Sequence, residues 1–246
     1  MAPTPQLLAN KVAIVTGADS DIGKAIATKM HANSCKTLAE EINRNKPEDA
    51  TGKAEAMDCE DVSNWDSFSR VIEEVLTGET TKNLDIFYYH AEFFNRVFGS
   101  SGTFNHSMED NVKYVLDFVG NVMGKNDNKK GGCILYASSA MRMLGDAMPS
   151  AYRISQTAAI GVVRSKAAEL AGQKVRVNAI SQGILDWRVL RSIFPRASDR
   201  QLKQMRDNWM MTKAETIEVA NTAVFLASDY GKSVTGHNLL LNGSRL

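Results

Sequence analysis

Apolar runs of strand length alternate with stretches of helical spacing along most of the chain. The first run, 12–16, is followed by a glycine turn, after which Ile22, Ile26, Met30, Cys35, Leu38, Ala39 and Ile42 recur at helical spacing. No β-branched apolar run lies between Lys24 and Thr51, and Leu38, Ala39, Glu40, Glu41 and Ile42 favour helix. The pattern therefore predicts one helix from Ile22 to about Asn45, with an irregular strand at 37–43 as the alternative. Strands at 54–58 and 84–90 follow, with a helix at 63–76 between them and an irregular loop at 92–106 after them. Further on come a helix at 108–123, a strand at 133–137, a long helix at 151–171 and a strand at 175–180. An apolar, lid-like segment at 184–211 precedes a helix at 214–227 and a last strand at 238–241. Continuous βαβ order predicts an α/β fold in which a parallel sheet is covered by helices on both faces.

Composition narrows the class without deciding the chemistry. With 246 residues, 43% of them hydrophobic and 23% charged, the chain can bury one large core, so one domain spanning 1–246 is expected. A net charge of +1, with Lys and Arg scattered, gives no electrostatic reason to expect nucleic acid or an anionic membrane. The amino-terminal stretch lacks a basic start and a long apolar run, which points to a soluble, cytosolic protein. Cys35, Cys59 and Cys133 are widely spaced and read as packed, reduced thiols, with no metal site implied.

Motifs in fixed order carry a resemblance. T-G-A-D-S-D-I-G at 16–23, D-V-S-N from Asp61, D-N-V-K-Y-V around Asn111, I-L-Y-A-S-S ending at Ser139, Y-R-I-S-Q from Tyr152 and R-V-N-A-I-S-Q-G ending at Gly183 resemble the short-chain dehydrogenase/reductase family. So does V-T-G-H-N-L near the carboxyl end, and those last segments look most like plant-type members of the secoisolariciresinol or xanthoxin dehydrogenase kind, which act on terpenoid and other specialised metabolites. The resemblance implies a three-layer, Rossmann-like doubly wound sheet, a dimer or tetramer, and a polar set Asn111, Ser139 and Tyr152 that binds a substrate carbonyl or hydroxyl. With the helix read through to Asn45, the family's second strand is missing, leaving about six strands.

Several positions depart from the family pattern. Asp21 stands in the phosphate turn with Gly17 and Gly23, where a carboxylate suits a helix cap better than a pyrophosphate neighbour. Y-H-A-E replaces N-N-A-G, so Tyr88, Tyr89, His90 and Glu92 would partly fill the cofactor trough. Gln156 stands where lysine would hold the nicotinamide ribose and lower the tyrosine pKa, so Tyr152 is expected to titrate near its usual 10 or so and Arg153 to be a poor substitute. Gln182 precedes Gly183 in place of proline, and Trp187 replaces a threonine.

These departures support the expectation that no cofactor is used and that Gly17, Asp21, Gly23, Asp61 and Gly183 are remnants of a cofactor site. Tyr152, Ser139, Asn111, Gln156 and His90 are the candidate catalytic residues, and Glu92, Trp187, Leu190 and Met205 the candidate pocket. The reading these support is a non-redox step, such as cyclisation, isomerisation or elimination, on a small apolar metabolite. The alternatives are an atypical NAD(P)-dependent alcohol dehydrogenase or ketone reductase, and a non-catalytic scaffold.

Overall fold

The computed structural model describes residues 6–18, 20–39, 54–55, 84–90, 103–113, 115–116, 131–143, 150–183, 191, 197–203 and 215–242. Seven parallel strands form its frame: β1 (Val12–Val15), β2 (Lys36–Ala39), β3 (Ala54–Glu55), β4 (Ile86–Tyr89), β5 (Gly132–Ser139), β6 (Val175–Gln182) and β7 (Asn238–Leu241). They lie in the order β3-β2-β1-β4-β5-β6-β7. The α-helices among the described residues are α1 (Asp21–Ala32), α2 (Thr103–Met108), α3 (Ser150–Glu169) and α4 (Thr216–Ala227), and a π-turn at Glu109–Lys113 continues α2. The α/β, Rossmann-like doubly wound sheet expected from the alternating pattern is the fold observed.

Two apolar layers explain why the strands read as continuous apolar runs rather than as alternating ones. On one face Ile14, Phe87, Tyr89, Ile134, Tyr136 and Val177 pack with Ala159, Val162 and Val163 of α3. On the other, Val15, Ile86, Tyr88 and Leu135 pack with Ile26 and Met30 of α1 and with Val219 and Val224 of α4. In β4 all four side chains are buried and point alternately to the two layers. Cys133 is buried, and burial pushes its thiol up to about 11, which keeps it an inert core group. Among the described residues no helix is long and apolar enough to cross a membrane.

The missing second strand is corrected by the structure. Helix α1 stops at Ala32, where the Asn33 side-chain amide donates to Lys29 O at 2.8 Å and Ser34 takes a left-handed φ of 65°. The chain then enters β2, which pairs with β1 from Val12↔Lys36 to Val15↔Ala39. β3 pairs with β2 rather than lying beside β1, so the sheet has seven strands where about six were expected. Helix propensity at 38–42 misled because it is worth only tenths of a kcal/mol per residue, less than a left-handed stop followed by a full backbone ladder. The described carboxyl end of α2 likewise differs from a regular helix at 108–123, since Glu109–Lys113 is a π-turn.

Tyr88 tests the packing on the α1 side. Its ring is fully buried, its hydroxyl has no hydrogen-bond partner among the described residues, and burial holds the phenol far above its ordinary pKa. An unpaired buried hydroxyl carries a desolvation cost, so Tyr88→Phe is expected to stabilise the fold by about 1 kcal/mol in urea unfolding. A loss of similar size would contradict this and would mean that the hydroxyl is satisfied.

Candidate active site at the carboxyl ends of the strands

The sheet reverses direction of growth between β1 and β4, and in open α/β sheets a ligand crevice lies outside the carboxyl ends of the strands at such a point. Two polar clusters stand there. The first is the turn from β1 into α1. Gly17 has φ +64°, and a Cβ on Gly23 would lie 2.0 Å from Gly17 O, so the turn closes only with glycine at both places. Ser20 is the N-cap, donating to Gly17 O at 2.7 Å and accepting from Gly23 N at 3.1 Å. Thr16 clasps the end of β4: its Oγ1 accepts from His90 N at 2.8 Å and lies 3.1 Å from His90 O. The His90 ring completes the turn, with Nδ1 3.2 Å from Ser20 Oγ.

Gln156 on α3 holds the second cluster together. Its side chain is 4% exposed; Oε1 accepts from Ser138 Oγ at 3.0 Å and from Ser139 N at 3.1 Å, while Nε2 donates to Asn111 Oδ1 at 2.8 Å. Asn111, carried inward on the π-turn, donates from Nδ2 to Ser107 O at 3.0 Å and to Ser155 Oγ at 3.2 Å. The Tyr136 hydroxyl donates to Asn111 Oδ1 at 3.3 Å, and Ser155 Oγ donates to Tyr152 O at 2.9 Å. One amide thus fixes the end of β5, and with it Ser139, against α3.

The Ser139 side chain acts on the Tyr152 phenol as a polar neighbour that favours its charged form, and Met141 N donates to Ser139 Oγ at 3.1 Å. Tyr152 is 5% exposed. Burial pushes its phenol up to about 12, against smaller lowering by the Ser139 hydrogen bond and by the charge of Arg142. This corrects the expectation of a value near 10: absence of lysine is one matter, and desolvation, which the sequence does not display, adds to it. The phenol is a proton donor at neutral pH.

The structure brings Asn111, Ser139, Tyr152 and Gln156 into one network and places His90 with Thr16 and Ser20 in the other cluster. Asp21 is exposed in the first turn of α1, and Ser20 is the side chain that caps the helix. Tyr88 and Tyr89 point into the two apolar layers rather than into the crevice, because β4 is covered on both faces; the expectation that they fill the trough fails. Gly183 N donates to Leu241 O at 2.8 Å, and a Cβ there would meet Asn242 Cα at 3.2 Å. Asp19, Asp61, Glu92, Trp187, Leu190 and Met205 lie outside the described residues. Arg142 was missed. The signal available was a lone basic residue three positions after Ser139 in the apolar turn A-M-R-M.

Residues 17–243 match the family model described as enoyl-(acyl carrier protein) reductase, a short-chain dehydrogenase/reductase model. The chain belongs to the short-chain dehydrogenase/reductase family. It is 28% identical to a (21S)-21-acetoxyl-apo-melianone synthase of Melia azedarach, with 96% of this chain and 89% of that one covered. It is 29% identical to (+)-borneol dehydrogenase 2 of Salvia officinalis, with 97% and 90% covered. A 7α-hydroxysteroid dehydrogenase complexed with NADH and 7-oxo glycochenodeoxycholic acid has the same fold, with a TM-score of 0.80, 23% identity, and 98% of this chain and 96% of that one covered.

The expectation of a chain without cofactor is overturned by these findings: the matching family model is that of a reductase, and the fold neighbour is complexed with NADH. The residues present fit a dinucleotide at the turn, where the glycine pair lets the backbone close tightly and the partial positive charge of the α1 amino terminus faces the crevice. Asp21 did not decide the matter, because an exposed first-turn carboxylate stabilises the helix without occupying the turn.

Replacing Gln156 by leucine would strip Ser138 Oγ, Ser139 N and Asn111 Oδ1 of a buried partner. Each such loss costs about 1–3 kcal/mol. Gln156→Leu is expected to destabilise the protein by about 3 kcal/mol or more in urea unfolding, and a stability equal to wild type would contradict the network.

Proposed function

We propose that this family member is a nicotinamide-dependent carbonyl reductase, working in reverse as an alcohol dehydrogenase, on an apolar, terpenoid-like ketone or secondary alcohol. The observation that carries the reading is the buried Tyr152 hydroxyl, held beside Ser139 at the carboxyl edge of the sheet and kept protonated at neutral pH. The likeness to (+)-borneol dehydrogenase 2 supports the substrate class. A bound nicotinamide cofactor supplies the hydride. Gly17, Gly23 and Ser20 would hold its pyrophosphate at the α1 amino terminus. Ser139 and Tyr152 would hold the substrate oxygen, and Tyr152 would deliver a proton to it as negative charge develops. Gln156 sets the position of Ser139 and brings no charge. The apolar 184–211 segment is the proposed substrate cover, 1–246 the proposed single domain, and a homodimer or homotetramer the proposed assembly.

The phenol pKa fixes the pH dependence. A donor titrating near 12 is fully protonated through neutral pH, and the phenolate needed for alcohol oxidation grows tenfold per pH unit below that value. Reduction is therefore expected to stay level from about pH 6 to about pH 10, and oxidation to rise about tenfold per unit over about pH 8–10 without levelling. An oxidation profile that levels near pH 8 would contradict this account of Tyr152. Tyr152→Phe is expected to lose about 10²–10⁴-fold of turnover with the fold intact.

Binding is tested by titrating the protein with NADH and NADPH, following nicotinamide fluorescence and thermal stability. A ligand that binds only the folded state stabilises it by about 2.7 kcal/mol at a hundred times its Kd. Saturable binding of at least one of the two is expected; no response to either at millimolar concentration would overturn the proposal.

A further inference from the structure

The carboxyl ends of β5 and β6 carry a row of polar side chains, and most of them are matched. Ser138 Oγ donates to Gln156 Oε1 at 3.0 Å, and Ser139 Oγ accepts from Met141 N at 3.1 Å. Asn178 Nδ2 donates to Val234 O at 2.8 Å, and Ser181 Oγ to Asn238 Oδ1 at 2.6 Å. Gln182, the last residue of β6, breaks the pattern: its Oε1 is buried and has no hydrogen-bond partner among the described residues. The residue as a whole is half-buried, so its amide stands at the margin of the strand ends rather than deep in a core layer. Its backbone is fixed from both sides. Gln182 is in register with Ser139 of β5 and with Leu241 of β7, and the following Gly183 donates from its N to Leu241 O at 2.8 Å. Neighbouring strands lie about 4.8 Å apart and registered residues of a parallel ladder send their side chains to one face, so Gln182 stands one strand from Ser139 at the ligand edge of the sheet.

We propose that Gln182 is a specificity-determining residue whose Oε1 accepts a hydrogen bond from an N–H or O–H of the ligand seated against Ser139. A carbonyl oxygen that gives up water and gains no protein donor destabilises the fold, and native proteins keep few of them. The arrangement has a use where a ligand brings the missing donor, because a site built around a buried acceptor rejects the analogue that lacks the donor. Rigid strands on either side hold the acceptor in place before the ligand arrives. Proline, the residue of the family pattern at this position, has no side-chain acceptor, so the feature belongs to this chain. An amide oxygen is neutral and selects a neutral donor. Two ligand groups of that chemistry reach a crevice that takes a nicotinamide cofactor and a ketone: the carboxamide N–H of the nicotinamide, and a substrate hydroxyl other than the reacting one.

This rests on the reductase reading in taking the crevice for the ligand site, but its test needs binding alone and no turnover. The acceptor is removed from the protein and the donor from the ligand in turn. Gln182→Met keeps the length of the side chain without an amide oxygen, and Gln182→Glu keeps a carbonyl-type oxygen. Dissociation constants are measured by calorimetry for two ligand pairs. One pair is NADH or NADPH against its 3-acetylpyridine analogue, which has no N–H at that group; the other is camphor with and without one added hydroxyl. In one of the pairs the preference of the wild type for the donor-bearing member is expected to fall about tenfold in Gln182→Met and to be kept at least in part by Gln182→Glu. A fall in the first pair assigns the donor to the cofactor, and a fall in the second assigns it to the substrate. Unchanged preferences in both pairs, with the thermal transition of Gln182→Met at or above that of wild type, would reduce the unpaired oxygen to a packing defect and overturn the proposal. A Gln182→Glu variant that loses the preference as fully as Gln182→Met would overturn it too, because the acceptor would then not be the cause. Failure of wild type to bind NADH or NADPH would refute the reductase reading, while the camphor pair would still decide the role of Gln182.

Discussion

The buried amide of Gln156 is the interaction on which the site depends. A helix packed against a sheet is fixed by its apolar layer to within the slack of side-chain packing, which is too coarse for proton transfer between two hydroxyls. Oε1 of Gln156 removes that slack by accepting from Ser138 Oγ and Ser139 N, while Nε2 binds Asn111 on the π-turn. Three elements, the end of β5, the π-turn and α3, are thereby joined through one side chain of α3. Because the amide is neutral, the cost of burying it is met by hydrogen bonds alone, which a buried lysine in the same place would not allow without a counter-ion.

A neutral amide at position 156 can set geometry but brings no charge. Geometry stays with Gln156. The structure also holds Arg142 at the end of β5 on Ser139 O and Ser181 Oγ. The phenol of Tyr152, pushed up to about 12 by burial, is then suited to giving a proton to a developing alkoxide and poorly suited to taking one near pH 7.

Much of this was legible in the sequence, and the illegible parts share a physical cause. Strand-length apolar runs and helical stripes gave the doubly wound sheet, because both faces of each central strand are covered and leave their mark on every residue. Ser139, Tyr152 and Gln156 stood at spacings that one helix and one strand end bring together, and Asn111 joins them from the π-turn. The β2 strand was not legible: its identity comes from the Asn33–Ser34 stop and from pairing with β1, while its own residues favour helix. Tyr88 and Tyr89 looked like trough fillers because their direction depends on which faces are covered, and Asp21 looked like an obstacle because its exposure was unknown. Arg142 carries no motif at all; only the folded chain shows that the turn after β5 holds its guanidinium on Ser139 O and Ser181 Oγ.

Hydride transfer to a carbonyl is the central claim, and isotopic labelling reads it directly. A monoterpenoid ketone such as camphor is reduced with NADPH, and separately with NADH, carrying deuterium at C4 of the nicotinamide, and the alcohol is examined by mass spectrometry. One deuterium on the carbinol carbon, from one face of the cofactor, is the expected result, with Tyr152→Phe losing most of the labelled product. Alcohol that carries no deuterium in either case, or conversion of the ketone to a redox-neutral product, would contradict it.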